Sequence, residues 1–294
     1  MGQQPLYGGQ AVIEGVMMQG PGKMAIAVRR PDGTIAIHEQ KIQSLTERYP
    51  VLRLPILRGM VVLVETISRG ITALMYSANQ AVPDEEQLSR GEMTLSTLLG
   101  VVGAIALFVV LPTLITHWMG GWSPNSAVVH LLEGLMRFGI FIGYLWSISL
   151  VKEIQRVFQY HGAEHKVINT LEAGDPLTVE CARRHSREHR RCGTSFLLYV
   201  VVISILLFSL VNIPNVALRI ISRIALLPLV AGVSYEIIRL LGRYNNRLTL
   251  AISRPGMWLQ GLTTREPDDS QLEVAIAALQ AAMGQPRAAT EQQR

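Results

Sequence analysis

Hydrophobic residues along the chain gather into long uncharged tracts that short polar segments separate. Between Glu92 and Glu133 no Asp, Glu, Lys or Arg occurs, and the turn-forming residues of HWMGGWSPNS interrupt this tract. A helix needs about 20 apolar residues to cross the hydrocarbon core of a bilayer. The tract therefore predicts two membrane-spanning helices, at 93–116 and 127–151.

A second uncharged tract runs from Cys192 to Leu218 and predicts a third spanning helix at 194–213. A fourth is predicted at 217–241, where charged residues near both ends shorten the uncharged centre to about three helical turns. Long basic side chains at the ends of such a helix can extend to the membrane interface. The expected fold class is mainly α, a polytopic membrane protein with about four transmembrane helices.

Residues 51–80 are also apolar, but they carry Arg58, Glu65 and Arg69 at spacings of seven and four. These charges fall on one face of a helix. A charge at the centre of a membrane helix costs roughly 2.5–3.5 kcal/mol. We therefore predict an amphipathic helix that lies in the membrane interface, with a spanning helix as the alternative.

The remaining predicted elements lie at the two ends of the chain. In KMAIAVRRPDGTIAIHEQKI, two alternating β-branched runs flank Pro31-Asp32-Gly33, which is typical of a hairpin. Residues 1–50 are therefore predicted to form a small cytoplasmic β unit. Residues 242–294 form a cytoplasmic C-terminal segment, in which acidic and capping residues before LEVAIAALQAAM predict a terminal helix.

Composition and charge agree with a membrane protein. Of the 294 residues, 49% are hydrophobic and only 17% are charged, a low fraction for a soluble domain. The connection at 152–193 is rich in Lys and Arg, whereas residues 117–126 contain neither. Basic loops stay in the cytoplasm. We therefore place 152–193 and both termini on the cytoplasmic side of the cell's inner or plasma membrane.

The same asymmetry explains the net charge of +5. A cluster of arginines at 183–191 suits contacts with anionic lipid head groups beside the bilayer. Nucleic acid is a disfavoured partner, because the aromatic side chains that stack on bases are missing from this stretch.

Candidate chemistry is concentrated in the same connection. His161 and His165 are four residues apart, so on a helix that continues from the second predicted span both imidazoles project from one face. Glu164 lies beside them. This H-x-x-E-H order is the one found in inverzincin metallopeptidases, where the glutamate acts as a general base towards metal-bound water.

Further donors follow at a spacing of C-x3-H-x3-H-x2-C, namely Cys181, His185, His189 and Cys192. A catalytic metal site would use the histidine pair with one of His189 or Cys192 and keep one open position, whereas a structural site would use the histidine pair with both His189 and Cys192. Zn²⁺ suits these ligands best. The alternative is a buried hydrogen-bond network that holds the connection in place.

Glu133 and Arg137, within the second predicted span, are placed four residues apart for an ion pair on one helix. Charges inside a membrane either hold a helix bundle together or line a polar path for a substrate. The second possibility would make the protein a small-molecule carrier.

Long motifs occur from one end of the chain to the other: GGQAVIEGVMMQGP, PILRG at 55–59, YHGAEHKVIN, HRRCGTSF and LTTREPDDSQLEVAIAAL. They resemble those of the YqhQ-like family of bacterial membrane proteins, or domain of unknown function 1385, whose members are labelled predicted metal-dependent enzymes. Arg190 departs from this pattern, which has Pro there. The resemblance implies a candidate site made of His161, Glu164, His165, His189 and Cys192, with Glu14 as a further polar candidate.

The residues and the resemblance together predict an integral membrane protein with a cytoplasm-facing Zn²⁺ site. In this reading Glu164 is the general base of a metal-dependent hydrolase that acts on a peptide or lipid-derived substrate at the membrane surface. One alternative is a non-catalytic assembly or docking factor for a membrane or translation-linked protein partner, and the other is the small-molecule carrier.

Overall fold

The chain begins with an antiparallel sheet of four strands in the order β1-β2-β3-β4. A computed structural model describes residues 6–285 except 84–86, 88, 120–125, 212, 214 and 245. The small β unit predicted from the sequence is confirmed, and Pro31-Asp32-Gly33 lies in the turn between its last two strands. The strands are β1 (Gly8–Val12), β2 (Gly15–Gly20), β3 (Lys23–Arg29) and β4 (Ile35–Lys41).

Helices make up most of the described chain after the sheet, so the fold is mainly α, as predicted. A 3-10 turn at Pro50–Arg53 precedes α2, and a π-helical turn at Ala106–Val110 joins α3 to α4. The helices are α1 (Leu45–Arg48), α2 (Leu57–Gln80), α3 (Arg90–Ile105), α4 (Leu111–Met119), α5 (Ser126–Ile148), α6 (Lys152–Ala173), α7 (Val179–Arg184), α8 (Gly193–Ser209), α9 (Val216–Arg243), α10 (Arg247–Thr263) and α11 (Asp269–Met283).

Both faces of the sheet are covered. Successive residues of a strand point to opposite faces. Val16 and Met18 accordingly pack with buried residues of α6 and α11, whereas Met17 and Ile26 pack on the other face with Ala73 of α2. The sheet is therefore held between α6 and α11 on one side and α2 on the other.

Within the described residues, four helical segments are long and apolar enough to cross a membrane, which agrees with a multi-pass membrane protein. Their bounds are Leu57–Gln80, Gly91–Trp118, Leu131–Ile148 and Val216–Arg243. Helix α8 is strongly apolar but has 17 residues, at the lower limit of about 17–25 residues for a span. The four segments thus include α2, which the sequence analysis places in the membrane interface. They do not include α8, which the sequence analysis predicts as a span and which is short for one.

The packing of α2 favours the interfacial placement. The Ile13 N–H donates to Ser77 Oγ at 3.2 Å, and Gly70 lies against the side chain of Gln10, so the C-terminal half of α2 covers the sheet. The part before it, from Leu57 to Arg69, is about 20 Å long, shorter than a hydrocarbon core of about 30 Å. The interfacial placement of α2 stays a prediction, and the packing of its C-terminal half on the sheet supports it.

The charged face predicted for α2 contacts protein groups. Arg58 forms a bidentate ion pair with Glu236 of α9. Glu65 pairs with Arg69 at 3.1 Å and accepts the Leu45 N–H at 2.6 Å. The Arg58–Glu236 pair therefore holds the start of α2 against α9, and Glu65 holds the next turns of α2 against α1.

A second buried ion cluster joins α5 to α9. Glu133 pairs with Arg137 at 2.8 Å, as the sequence predicts, and also accepts from Arg223 at 2.7 Å. Arg137 further donates from Nε to the carbonyl of Phe108 in the π-helical turn at 2.9 Å. Arg223 is 2% exposed, and this pairing explains how an apolar helix carries it.

Candidate metal centre

Helix α6 supplies most of the candidate site. Helix α6 begins at Lys152, and the extended backbone of Val151 separates it from α5. The prediction that this helix continues from the second predicted span is therefore wrong, since the two are separate helices. The sheet and α11 pack on α6, and most of its residues from Tyr160 to Thr170 are buried. His161 and His165 lie on successive turns of this enclosed stretch.

The two imidazoles converge on the thiol of Cys192. His161 Nε2 lies 3.2 Å from Cys192 Sγ, and the donor atoms of His161, His165 and Cys192 all lie within 4.8 Å of one another. Tetrahedral zinc, with bonds of about 2.0–2.3 Å, separates its ligand atoms by roughly 3.3–3.6 Å. The three donors are therefore close to the spacing that one ion requires.

A backbone carbonyl behind each ring fixes its tautomer. His161 Nδ1 lies 2.8 Å from the Thr263 oxygen, and His165 Nδ1 lies 2.6 Å from the Arg187 oxygen. Because a carbonyl can only accept, each neutral ring carries its proton on Nδ1 and keeps a lone pair on Nε2. Metal-ligating histidines are usually oriented in this way.

Cys192 has a second role as the N-cap of α8. Its Sγ accepts the Thr194 N–H at 3.3 Å. The N-terminus of a helix stabilises negative charge, and the thiolate is the form of cysteine that binds metals. The position of Cys192 therefore suits a metal ligand.

Glu164 lies between the two histidines and is 5% exposed. Its Oε2 is 3.9 Å from His161 Nε2 and 3.8 Å from His165 Nε2, too far for hydrogen bonds but next to both of these donor atoms. Burial raises the pKa of the Glu164 carboxyl, which also accepts the N–H of Gly9 in β1. Burial lowers the pKa of His165, so its neutral form is favoured.

His189 is not part of the group formed by His161, His165 and Cys192. Its Nε2 is 3.3 Å from a Glu172 carboxylate oxygen, and its ring centroid is 5.8 Å from that of His165. Gln260 holds its backbone, since the amide accepts the His189 N–H at 2.9 Å and donates to the His189 carbonyl at 2.8 Å. Of the two proposed third donors, Cys192 is therefore the one that lies with the histidine pair.

Three other candidates lie apart from the histidine pair. Cys181 is in α7, and His185 Nε2 lies 2.9 Å from an oxygen of Asp175. Glu14 forms an ion pair with Arg156 and accepts from the Tyr160 hydroxyl at 3.3 Å. Glu14 therefore ties the β1–β2 turn to α6 just before His161.

Several charges of the basic connection have partners within the protein. Arg183 pairs with Asp269, and Arg191 pairs with Glu172. Lys166 donates to the carbonyls of Arg183 and His185, both at 2.9 Å. Contact of this connection with anionic lipid head groups stays a prediction, and these three side chains already have other roles.

The sequence did not identify the groups that orient the histidines. The partners of His161 and His165 are the main-chain oxygens of Thr263 and Arg187. Every residue type carries such an oxygen, so the side chain at these positions gives no signal in the sequence. Gly9 and Thr263 do lie within two of the long motifs, GGQAVIEGVMMQGP and LTTREPDDSQLEVAIAAL. The motifs at the two ends of the chain therefore contained the residues that contact Glu164 and His161.

Comparison with known proteins agrees with the motifs. Residues 54–285 match a family described as a protein of unknown function, DUF1385. The chain is 36% identical over 289 residues to "Uncharacterized protein YqhQ" of Bacillus subtilis (strain 168), with 92% of this chain and 90% of that protein covered. No solved structure matches the chain.

Proposed function

The chain belongs to the DUF1385 family, and we propose that it binds one zinc ion and uses it for hydrolysis at the surface of a membrane. The ligands are His161, His165 and Cys192. One observation carries the proposal: two imidazoles, each fixed by a backbone carbonyl, and a helix-capping thiol direct their donor atoms to one place. Nitrogen and sulfur donors in this number are typical of zinc with one open position.

In the proposed reaction Glu164 is the general base. A bound zinc ion supplies a Lewis acid that lowers the pKa of water. The Glu164 carboxylate, 3.9 and 3.8 Å from the Nε2 atoms of His161 and His165, would take a proton from the attacking water and later deliver it to the leaving group. Burial raises the pKa of this carboxyl, and a raised value brings its proton affinity closer to that needed at neutral pH.

The location of the site supports a substrate at the membrane surface. Helix α6 starts at Lys152, directly after the apolar α5, and Cys192 immediately precedes the apolar α8. The basic residues of 152–193 favour the cytoplasmic side. A peptide or lipid-derived substrate at that surface fits the position.

The burial of the donors favours a second candidate, a non-catalytic docking factor. His165 is 1% exposed and Cys192 is 5% exposed, so a metal ion there would connect α6 to the start of α8 as a structural clip. In that case the sheet and α11, which pack on α6, would present a surface to a protein partner.

Metal analysis tests the shared part of both candidates. We expect about one zinc per chain in protein purified in detergent without chelators, as three-ligand sites of this kind bind zinc tightly. The variant His165→Ala should lose the metal, whereas His185→Ala, which changes a histidine outside the group, should retain it. Wild-type protein without stoichiometric metal would exclude the zinc site.

The variant Glu164→Gln separates catalysis from a structural clip. As a catalytic base, Glu164 is needed for turnover and not for holding the ion, so the variant should keep zinc and fail to complement a deletion of the gene. If it keeps zinc and complements fully, the docking role is favoured.

A further inference from the structure

Helix α10 has the opposite arrangement of polar and apolar residues from that of a helix on a soluble domain. Its buried face consists mainly of small and polar residues and contains one large apolar residue, Leu259; the others are Thr249, Ser253, Gly256, Gln260 and Thr263. Its exposed face carries large apolar residues, with Leu248 68%, Ile252 42% and Trp258 66% exposed. A helix that packs on a protein core in water buries its apolar side. The exposed side of α10 therefore requires a different solvent.

The buried face packs against the beginning of α8. Gln260 donates to Ser195 Oγ at 3.1 Å, and a Cβ on Gly256 would lie 2.7 Å from the same oxygen. The Tyr199 hydroxyl donates to the Ile252 carbonyl at 3.0 Å. Helix α10 thus lies beside the first two turns of an apolar helix, at the level where that helix leaves the candidate metal centre.

The C-terminal end of α10 lies at the candidate metal centre, and the chain that leads into its N-terminal end passes Arg191. The Thr263 carbonyl is the hydrogen-bond partner of His161. In the last turn of α9, five residues before α10 begins, a Cβ on Gly242 would lie 3.4 Å from the Cδ of Arg191, the residue before Cys192. This arrangement favours a helix that runs along the surface of a bilayer over one that crosses it.

We propose that α10 is an interfacial helix whose exposed face, formed by Leu248, Ile252 and Trp258, is inserted into the bilayer leaflet on the side of the candidate metal centre. The apolar surface continues onto α8, where Leu197 is 43% exposed. Tryptophan is enriched at the membrane interface, and interfacial helices insert their apolar face by about 5–10 Å. Arg254, also exposed, is placed to reach the head groups.

This placement changes the expectation for residues 242–294, which the sequence assigns as a whole to the cytoplasm. The same helix holds His189 through Gln260 and His161 through Thr263, so the metal centre lies directly against the bilayer. A lipid or lipid-linked molecule is then the substrate class nearest to the site. That last step rests on the proposed function, whereas the insertion of α10 does not depend on metal or catalysis.

The test is the fluorescence of Trp258 in full-length protein reconstituted into phosphatidylcholine vesicles. The other three tryptophans are changed to Phe, so that Trp258 alone emits. We expect strong quenching by lipids brominated on the upper part of the acyl chain and weak quenching by iodide in the water. A matched control changes Trp258→Phe as well and introduces Gln40→Trp on the exposed end of β4, which should show the reverse.

Two results would overturn the proposal. Quenching of Trp258 by iodide and not by brominated lipid would place α10 in water. Protection of Trp258 from both quenchers would mean that protein, such as a second copy of the chain, covers this face. Because neither result depends on zinc, failure of the insertion is distinguishable from failure of the metal site, which zinc analysis of the same samples reports.

Discussion

Two glutamates are almost equally buried in this protein, Glu133 at 2% and Glu164 at 5% exposed, but their neighbours differ. Glu133 accepts hydrogen bonds from two guanidinium groups, those of Arg137 and Arg223, at 2.8 and 2.7 Å. Glu164 accepts a hydrogen bond from the backbone N–H of Gly9, and two imidazole nitrogens lie 3.8 and 3.9 Å from its carboxylate. One carboxylate has cationic partners from the chain, and the other is surrounded by groups that are neutral when each ring carries a single proton.

The difference indicates which cluster is structural and which is suited to a ligand. A buried charge is tolerated when it is paired. The Glu133 cluster is paired by residues of α5 and α9, so it holds helices together. The imidazoles near Glu164 keep their Nε2 lone pairs, because backbone carbonyls occupy the Nδ1 side. A metal cation would pair with Glu164 and bind those lone pairs at the same time.

Removing a donor atom beside Glu164 should have the largest effect. The variant Cys192→Ser replaces a thiolate donor with a hydroxyl, which is a much weaker zinc ligand, and we expect zinc content to fall from about one per chain to near zero. The matched variant Cys181→Ser changes the other cysteine, which lies in α7, and should keep the metal. Equal zinc content in both variants would contradict a ligand role for Cys192.

Breaking the Glu133 cluster should instead destabilise the fold without removing zinc. The variant Glu133→Gln leaves two arginines without a carboxylate and should lower the free energy of unfolding by about 3–5 kcal/mol. Unfolding in mixed micelles measures it. Glu39→Gln, which breaks the exposed pair with Lys23, should change stability by no more than about 1 kcal/mol.

A smaller effect is expected from the groups that support the proposed ligands of the candidate metal centre. Lys166 donates to the carbonyls of Arg183 and His185 and so holds the segment whose Arg187 oxygen orients His165. Loss of such a supporting contact typically weakens metal binding by about 10–100-fold. We expect this for Lys166→Met in a zinc-chelator competition assay.

Lys152→Met is the control for that assay, because Lys152 is an exposed residue at the start of the same helix. It should bind zinc as tightly as wild type. Unchanged affinity in Lys166→Met would show that the His165 orientation does not depend on this lysine.

The two clusters also differ in how far the sequence predicted them. The spacing of four residues was sufficient to predict the Glu133–Arg137 pair and the common face of His161 and His165, because both depend on helix periodicity alone. Arg223 was not predicted as a partner of Glu133, since the contact joins α5 to α9 and a single sequence carries no record of which helices pack together.

The fold was predicted best where local patterns determine structure. The hairpin at Pro31-Asp32-Gly33 and the apolar tracts depend on turn chemistry and hydrophobicity. The face of α10 was missed for the opposite reason. Its residues become meaningful only when burial is known, because Thr249, Ser253 and Gln260 look like solvent-exposed positions, whereas all three are buried and Gln260 contacts Ser195 of α8.

The smallest expected effect concerns the pH dependence of stability and depends on Glu164. Burial raises the pKa of Glu164 above its usual value of 4.5. Below pH 4.5 the carboxyl is protonated in the folded and the unfolded protein alike. Between 4.5 and the raised value the metal-free folded protein holds a proton that the unfolded chain has lost, so its stability decreases as pH rises through this window.

The variant Glu164→Gln removes this titration. In metal-free protein we expect the variant to gain stability relative to wild type as pH rises from 4.5 through the raised pKa, and the difference then to become constant. The lowered pKa of His165 affects both proteins and largely cancels in the difference. Denaturation curves at a series of pH values measure it. With zinc bound the gain should disappear, because the cation stabilises the carboxylate; a gain that persists with zinc would mean that Glu164 does not face the ion.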